Sequence, residues 1–392
     1  MNLAEARQQV IDMGLRLTES GLIARTWGNV SCRLDDNHFV ITPSGRNYAD
    51  LTPDEIVIVN ISDGRSWGDI RPSSEKQVHL AGYRESPNTG FIIHTHQTDA
   101  TVLSTMETDL SVEDVGVGIL ADKIPCARYG FPGTEDLRDA VSEAFQCGRY
   151  PAVLMAHHGA ILMGKDNEDA FRMAVSLEML SSFRIRKAFE AYIGRPIQMT
   201  DFLYDKVLEQ NGFSMPRTAR QFCRSERKGG GRIFYRPDGE EVELPLDSPS
   251  VYEEHRIHLE IYRKRPDIGA IHHSINPATV AYSVLGEKLP AYMDDFAQIN
   301  GEEMDCAPIH PKALAEALGD HHGVFIRENG ALCCGNTLYD ADAHAMITEK
   351  NARAYFISHF FPDRKIYQLG EEDCKKMREF YLQSYSKRFD RE

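Results

Sequence analysis

Val78-His79-Leu80-Ala81-Gly82-Tyr83-Arg84 returns 179 residues later as Ile257-His258-Leu259-Glu260-Ile261-Tyr262-Arg263, and this echo decides how the chain is read. Further echoes keep the same order. Ala100-Thr101-Val102 matches Ala278-Thr279-Val280, Pro125-Cys126-Ala127 matches Asp305-Cys306-Ala307, and Gly159-Ala160-Ile161-Leu162-Met163-Gly164 matches Gly330-Ala331-Leu332-Cys333-Cys334-Gly335. Ordered matches at nearly constant spacing mark a tandem duplication, and 392 residues suit two such domains. The join is expected over 196–231, where Met215-Pro216-Arg217, the basic residues Arg220, Arg224, Arg227 and Lys228, and Gly229-Gly230-Gly231 read as a polar connector. The domains are then 1–195 and 232–392, the second ending in a helical tail. The second copy reads as shortened, because nothing after Gly231 repeats the segment from Asn29 to Gly45.

Composition narrows the function class. Apolar residues make up 42 % and charged residues 26 % of the chain, ordinary values for a globular protein with a core. Lys plus Arg number 44 against 59 Asp plus Glu, a net charge of -15, which disfavours a phosphate-backbone or anionic-lipid partner. There is no apolar run of about 18 residues and no signal-like N-terminus, so membrane and export readings fall and a cytoplasmic location is expected. The eight Cys lack CxxC or CxxH spacing and read as reduced, mostly buried thiols.

Helical and strand patterns alternate. Leu3 to Ser20 carries Val10, Met13 and Leu17 at helical spacing and stops before Gly21. Further helices are expected at 74–85, 133–147 and 166–190. Val57-Ile58-Val59, Gly90-Phe91-Ile92-Ile93 and Ala152-Val153-Leu154-Met155 read as central strands. The expected architecture is α/β, with helices packed on a mixed or mainly antiparallel sheet once per repeat.

Ile92-Ile93-His94-Thr95-His96 carries the sharpest chemical signal. Residues i and i+2 of a strand share a face, so both imidazoles project together from a rigid base, as metal ligands do. His157-His158-Gly159 follows another strand-like run. Two His clusters at strand ends suit zinc, which takes imidazoles with a carboxylate or water. Glu75 is the candidate fourth ligand, since Arg71-Pro72-Ser73-Ser74-Glu75 opens a helix. That helix start and the turns Thr26-Trp27-Gly28-Asn29-Val30-Ser31 and Ile41-Thr42-Pro43-Ser44-Gly45 offer hydroxyl, amide and N–H groups to an anion such as phosphate.

Gly28-Asn29-Val30-Ser31, Ile41-Thr42-Pro43-Ser44-Gly45, Ser73-Ser74-Glu75, His94-Thr95-His96 and His157-His158-Gly159, in this order, resemble the class II aldolase/adducin family. The resemblance covers about residues 1–195 and extends, through the repeat, over about 232–360. It implies two α/β/α domains around mainly antiparallel sheets and a homo-oligomer. It implies His94, His96 and His158 as Zn2+ ligands, with Glu75 as ligand and catalytic base, and one zinc per chain. Asn29, Ser44, Gly45, Ser73 and Ser74 then line a phosphate pocket. The implied activity is retro-aldol cleavage, or formation, of a carbon–carbon bond in a phosphorylated sugar. The alternatives are a sugar-phosphate epimerase on the same metal site and a non-catalytic adducin-like scaffold.

The pattern departs in two places. A family tyrosine that serves as the acid precedes an Ile-Pro-Cys segment, but ahead of Ile124-Pro125-Cys126 the corresponding position is near Asp114, and no Tyr lies between Tyr83 and Tyr129. Glu113, Asp114, Tyr381 and Tyr385 are the candidates left open. In the second copy Glu75 maps onto Glu254 and His94 onto His272, while His96 maps onto Ser274 and His158 onto Asn329. This copy is expected to bind no zinc, with a shifted site through His273 and His322 as the minor alternative. We expect it to take the place of a neighbouring subunit, so that two chains form a four-domain ring.

Overall fold

The structure is a computed structural model that describes residues 2–23, 27–112, 120–146, 148–199, 201–216, 219–229 and 231–385. The chain divides into two units, Met1–Lys187 and Ala188–Glu392. In the first unit come α1 (Leu3–Glu19), β1 (Asn29–Arg33), β2 (His38–Ile41), β3 (Val57–Asn60), α2 (Lys76–Glu85), β4 (Phe91–Thr95), α3 (Thr98–Ser104), β5 (Leu110–Ser111), β6 (Lys123–Ile124), β7 (Cys126–Ala127), α4 (Glu135–Phe145), β8 (Ala152–Met155) and β9 (Gly159–Gly164). Helix α5 (Asn167–Ile193) runs across the division.

The second unit holds α6 (Leu203–Gln210), β10 (Arg224–Lys228), β11 (Gly231–Tyr235), β12 (Glu241–Leu244), α7 (Glu253–Lys264), β13 (Ala270–Ser274), α8 (Pro277–Leu285), β14 (Leu289–Pro290), α9 (Asp294–Asn300), β15 (Glu303–Met304), β16 (Cys306–Ala307), α10 (Pro311–Leu318), β17 (Gly323–Ile326), β18 (Ala331–Gly335), α11 (Leu338–Ser358) and α12 (Glu371–Phe380).

Among the described residues each unit has a seven-stranded sheet, ordered β3-β2-β1-β4-β9-β8-β7 in the first and β12-β11-β10-β13-β18-β17-β16 in the second. The two orders are the same strand for strand. All neighbours are antiparallel except β7–β8 and β16–β17. The expected α/β class with helices on mainly antiparallel sheets is therefore what each unit forms. No described helix is long and apolar enough to cross a membrane.

Local chemistry explains the element ends. Helix α1 starts at a capping box in which the Asn2 side chain accepts the Glu5 N–H, and it buries Val10, Met13 and Leu17 as their spacing predicts. Helix α2 and helix α4 pack together and send Val78, Leu80, Tyr83, Leu137, Val141 and Phe145 into a cluster with Phe39, Ile41, Val59, Ile92, Val153 and Ile161 of the sheet. Burying each such side chain stabilises by about 1.5–3 kcal/mol. Ile92 and His94 point to the same face of β4. Ile92 enters the core under α2, whereas His94 lies further along the strand, beside the residue that precedes α2.

The echo that opened the sequence reading is a packing lock made twice. His79 and Tyr83 lie four residues apart on α2, so both face β1. Ser31 Oγ meets His79 Nδ1 at 2.7 Å and the Tyr83 hydroxyl at 2.9 Å. In the second unit Ser225 Oγ meets His258 Nδ1 at 2.8 Å and the Tyr262 hydroxyl at 2.9 Å. Arg33 and Arg227 each lie 4.8 Å from the centre of the matching tyrosine ring. Arg33 donates to the Tyr83, Ser86 and Thr89 carbonyls, and Arg227 to those of Tyr262, Arg265 and Ile268. Burial pushes both His79 and His258 down to about 3, so each stays neutral.

This lock corrects the expected connector. Residues 196–231 carry α6 and β10, and β10 is the counterpart of β1, with Ser225 and Arg227 where Ser31 and Arg33 stand. Of the basic residues that read as a solvated run, Arg224, Arg227 and Lys228 lie on β10. Arg227 caps carbonyls, and Arg224 faces Asp342 at 3.3 Å. The missing repeat of the segment from Asn29 thus begins before Gly231, not after it.

Replacing Ser31 or Ser225 with Ala leaves a buried imidazole and phenol without their shared partner. Each variant is expected to lose about 1–3 kcal/mol of unfolding free energy in a denaturant titration. Changes within about 0.5 kcal/mol for both would show that the lock contributes nothing beyond a surface contact.

Candidate metal centre

Glu75 is the residue before α2, and its side chain makes no capping bond to the helix. The carboxylate turns inward. Oε2 lies 3.1 Å from His94 Nε2 and accepts from Asn29 Nδ2 at 2.9 Å, while Oε1 lies 2.7 Å from His158 Nε2. Ser73 Oγ accepts the Glu75 N–H at 3.2 Å. Asn29 in turn meets His79 Nε2 through its Oδ1, so the lock described above reaches the site through one amide.

The imidazoles converge from two strand ends. His94 Nδ1 sits 2.9 Å from the Ala160 carbonyl, which accepts the Nδ1 proton and turns Nε2 toward Glu75. His96 Nε2 is 2.9 Å from His94 Nε2. The rings of His94 and His158 stack at 4.9 Å with 6° between planes, and His96 stands edge-on to His158 at 4.8 Å. Glu75, His94 and His158 are buried and His96 nearly so. One donor atom from each of these four residues lies within 4.8 Å of the other three.

This donor set fits a metal ion. Glu75 Oε1 approaches His158 Nε2 at 2.7 Å yet is without an aligned hydrogen bond. A tetrahedral ion with bonds of about 2.0–2.1 Å keeps its ligand atoms about 3.3 Å apart, so the close pairs Glu75–His94, Glu75–His158 and His94–His96 need open by only a few tenths of an ångström. Burial pushes the Glu75 carboxyl up, but the neighbouring His94 and His158 imidazoles outweigh it and hold the group well below the usual carboxylate range.

Backbone shape delivers His158. His157, just before it, holds φ at 62°, a left-handed value that a branched or bulky residue adopts at a cost. Its Nε2 sits 2.9 Å from Glu107 Oε1, and its ring packs edge-on to Tyr129 at 5.7 Å. Gly159 follows, where an added Cβ would lie 2.2 Å from the Thr95 carbonyl. Sequence reasoning missed both Glu107 and the support from His79 and Asn29. The shared spacing of His79 and His258 was the available signal.

The expected anion-lining residues are brought together. Pro43 pairs with Pro72, Ser44 N–H donates to the Arg71 carbonyl at 3.0 Å, and Ser73 N–H donates to the Thr42 carbonyl at 3.0 Å. Ser44 and Gly45 therefore run beside Ser73 and Ser74, one strand away from Asn29, whose side chain is engaged with Glu75 and His79. Glu113 and Asp114 lie outside the described residues, as does the side chain of Tyr385. Tyr381 is buried in the second unit beside His322 and Arg378.

The second copy lacks this centre, with a shifted register. Ser31 pairs with Ile92 and Ser225 with Ile271, so the counterpart of His94 is His273 rather than His272, and that of His96 is Ile275 rather than Ser274. His272 instead faces Asp342 at 2.6 Å. Both His273 nitrogens are spent, Nδ1 on the Phe222 N–H at 2.8 Å and Nε2 on the Asn329 carbonyl at 2.7 Å. His322 Nδ1 faces Arg378 at 2.9 Å, so these two histidines rebuild no site. Asn329 stands where His158 does, and Glu328 keeps the left-handed corner at φ 61°.

The family model described as class II aldolase and adducin N-terminal domain matches residues 8–185 and 230–356. The chain is 34 % identical to the L-fuculose phosphate aldolase of Haemophilus influenzae over 187 residues, which is 47 % of this chain and 85 % of that protein. It is 31 % identical to the 5-deoxy-D-ribulose 1-phosphate aldolase of Bacillus thuringiensis serovar kurstaki over 179 residues, 45 % of this chain and 83 % of that one. A solved structure of L-fuculose 1-phosphate aldolase aligns with 28 % identity and a TM-score of 0.45, over 53 % of this chain and 97 % of its own. With the two matched segments falling one in each seven-stranded unit, the chain belongs to the class II aldolase and adducin N-terminal domain family and carries that domain twice.

Proposed function

We propose that this protein is a zinc-dependent, cytoplasmic aldolase that cleaves, or in reverse forms, a carbon–carbon bond of a phosphorylated ketose. The convergence of Glu75, His94, His96 and His158 at the start of α2 supports it most directly. The names of its relatives supply the substrate class, a ketose 1-phosphate. Three imidazoles and a carboxylate are a donor set that suits zinc. Bound there, the ion would supply Lewis-acid polarisation of the ketose carbonyl.

The chain's own residues account for the remaining work. His94, His96 and His158 would hold the ion, His94 oriented by the Ala160 carbonyl. Glu75, kept ionised beside the imidazoles, is the ligand that incoming substrate would displace, and its freed oxygen accepts or returns the reacting proton. Asn29 steadies the carboxylate through that change. Ser44, Gly45, Ser73 and Ser74, with the Asn29 amide at their border, would bind the phosphate through hydroxyl and N–H groups. Anchoring the phosphate away from the breaking bond fixes the orientation of the reacting carbons. A scaffold without chemistry has no use for four converging donors, which favours the enzyme.

The second copy keeps the sheet and the lock without the ligands, which supports a homo-oligomer of two chains in a four-domain ring. Light scattering is expected to give a two-chain mass; a four-chain mass would overturn this arrangement. His96→Ala is expected to remove the first-unit metal and all ketose 1-phosphate turnover, while His272→Ala leaves both near the parent level; equal losses would refute the assignment of the site to the first unit. Glu75→Gln is expected to lower turnover by about 10²–10⁴-fold with a smaller change in substrate affinity. A Glu75→Gln protein with undiminished turnover would remove Glu75 from the proton transfer.

A further inference from the structure

The two units can be superposed residue by residue through their locks, and the exchanges around the second lock are informative. Ser31 matches Ser225, so Gly28 and Asn29 match Phe222 and Cys223. Glu75 lies four residues before His79, and Glu254 four before His258, so Lys76 matches His255. The Phe222 ring packs on His273 at 4.6 Å, bulk that replaces the glycine at position 28. Beside it, the retained carboxylate of Glu254 has acquired a thiol and an imidazole as neighbours.

Cys223, Glu254 and His255 are all buried, and one donor atom from each lies within 4.8 Å of the other two. His255 Nδ1 is 3.1 Å from Ser250 Oγ, while its Nε2 is buried without a hydrogen-bond partner among the described residues. His258 Nε2 is orphaned in the same way, because Cys223 replaces the asparagine that His79 meets. Among the described residues Arg220 Nη2 lies 3.3 Å from the Glu254 carboxylate, and that side chain is 67 % exposed. With Arg220 largely in solvent and the nearby Arg236 paired with Asp238 and Glu240, a buried carboxylate beside a thiol would gain compensation from a dication.

We propose that Cys223, Glu254 and His255 form a second metal site, displaced from the position of the first, that binds one divalent transition-metal ion of the zinc class. A thiolate and a carboxylate together neutralise the ion, which suits a buried site. The sulfur selects against magnesium and calcium and toward zinc. Three protein donors leave a fourth position for water or a small ligand. The first centre contains only nitrogen and oxygen donors, so sulfur is the mark that separates the two.

Cobalt(II) substitution reads that mark, because a thiolate ligand gives a near-ultraviolet charge-transfer band and the first centre cannot. The full chain is expected to bind two equivalents and to show the band. Cys223→Ser is expected to lose the band and one equivalent, with an unchanged circular-dichroism spectrum, whereas His96→Ala loses one equivalent and keeps the band. A full-chain protein without the band, or a Cys223→Ser protein that retains it, would overturn the proposal. A single equivalent carrying the band would support this site and instead refute the first, so the two assignments fail separately.

Discussion

The carboxylate of Glu75 is the constraint around which the first unit is arranged. An ionised carboxyl group taken out of water must be compensated nearby or it will protonate. Here an amide and two imidazoles reach it within 3.1 Å, and each is held by something further out. Asn29 is fixed by His79, His79 by Ser31, and His94 by the Ala160 carbonyl. The position of one carboxylate thus depends on the β1–α2 packing, on the end of β4 and on the turn into β9.

The two copies separate what maintains the fold from what holds an ion. The Ser–His–Tyr contact, the arginine on the tyrosine face, the strand order and the parallel edge pair are present in both. Positions in and around the centre differ more: His158 against Asn329, His96 against Ile275, Asn29 against Cys223, Gly28 against Phe222, while Glu254 and His273 keep the residue types of Glu75 and His94. A sheet face can exchange residues at strand ends because those positions lie beyond the helix-covered core. Residues such as Ile92 and Ile271, sealed in their apolar clusters, have no such latitude.

Much of this was legible in the sequence for plain physical reasons. The two-residue period of His94 and His96, the breaker before Glu75 and the glycine after His158 are local signals, and the donors they predict do meet. The repeat exposed the duplication because its best-preserved stretch is the helix that carries the lock. The span 196–231 misled, since arginines that cap carbonyls and arginines in water look alike in a sequence. The one-residue error in matching His94 to His272 has a similar origin: apolar and histidine residues adjoin on β13, and only ladder pairing settles which faces inward. The roles of Glu107 and Tyr129 were invisible because they depend on contacts across distant loops.

The left-handed corner at His157 and again at Glu328 carries a lesson about reversibility. Both turns still point the next residue at the same spot, so returning an imidazole at 329 would be geometrically easy. It would achieve little, because the Phe222 ring now occupies the floor and Ile275 stands where a further donor is required. Decay of such a centre can proceed one tolerated replacement at a time, whereas its restoration demands several at once.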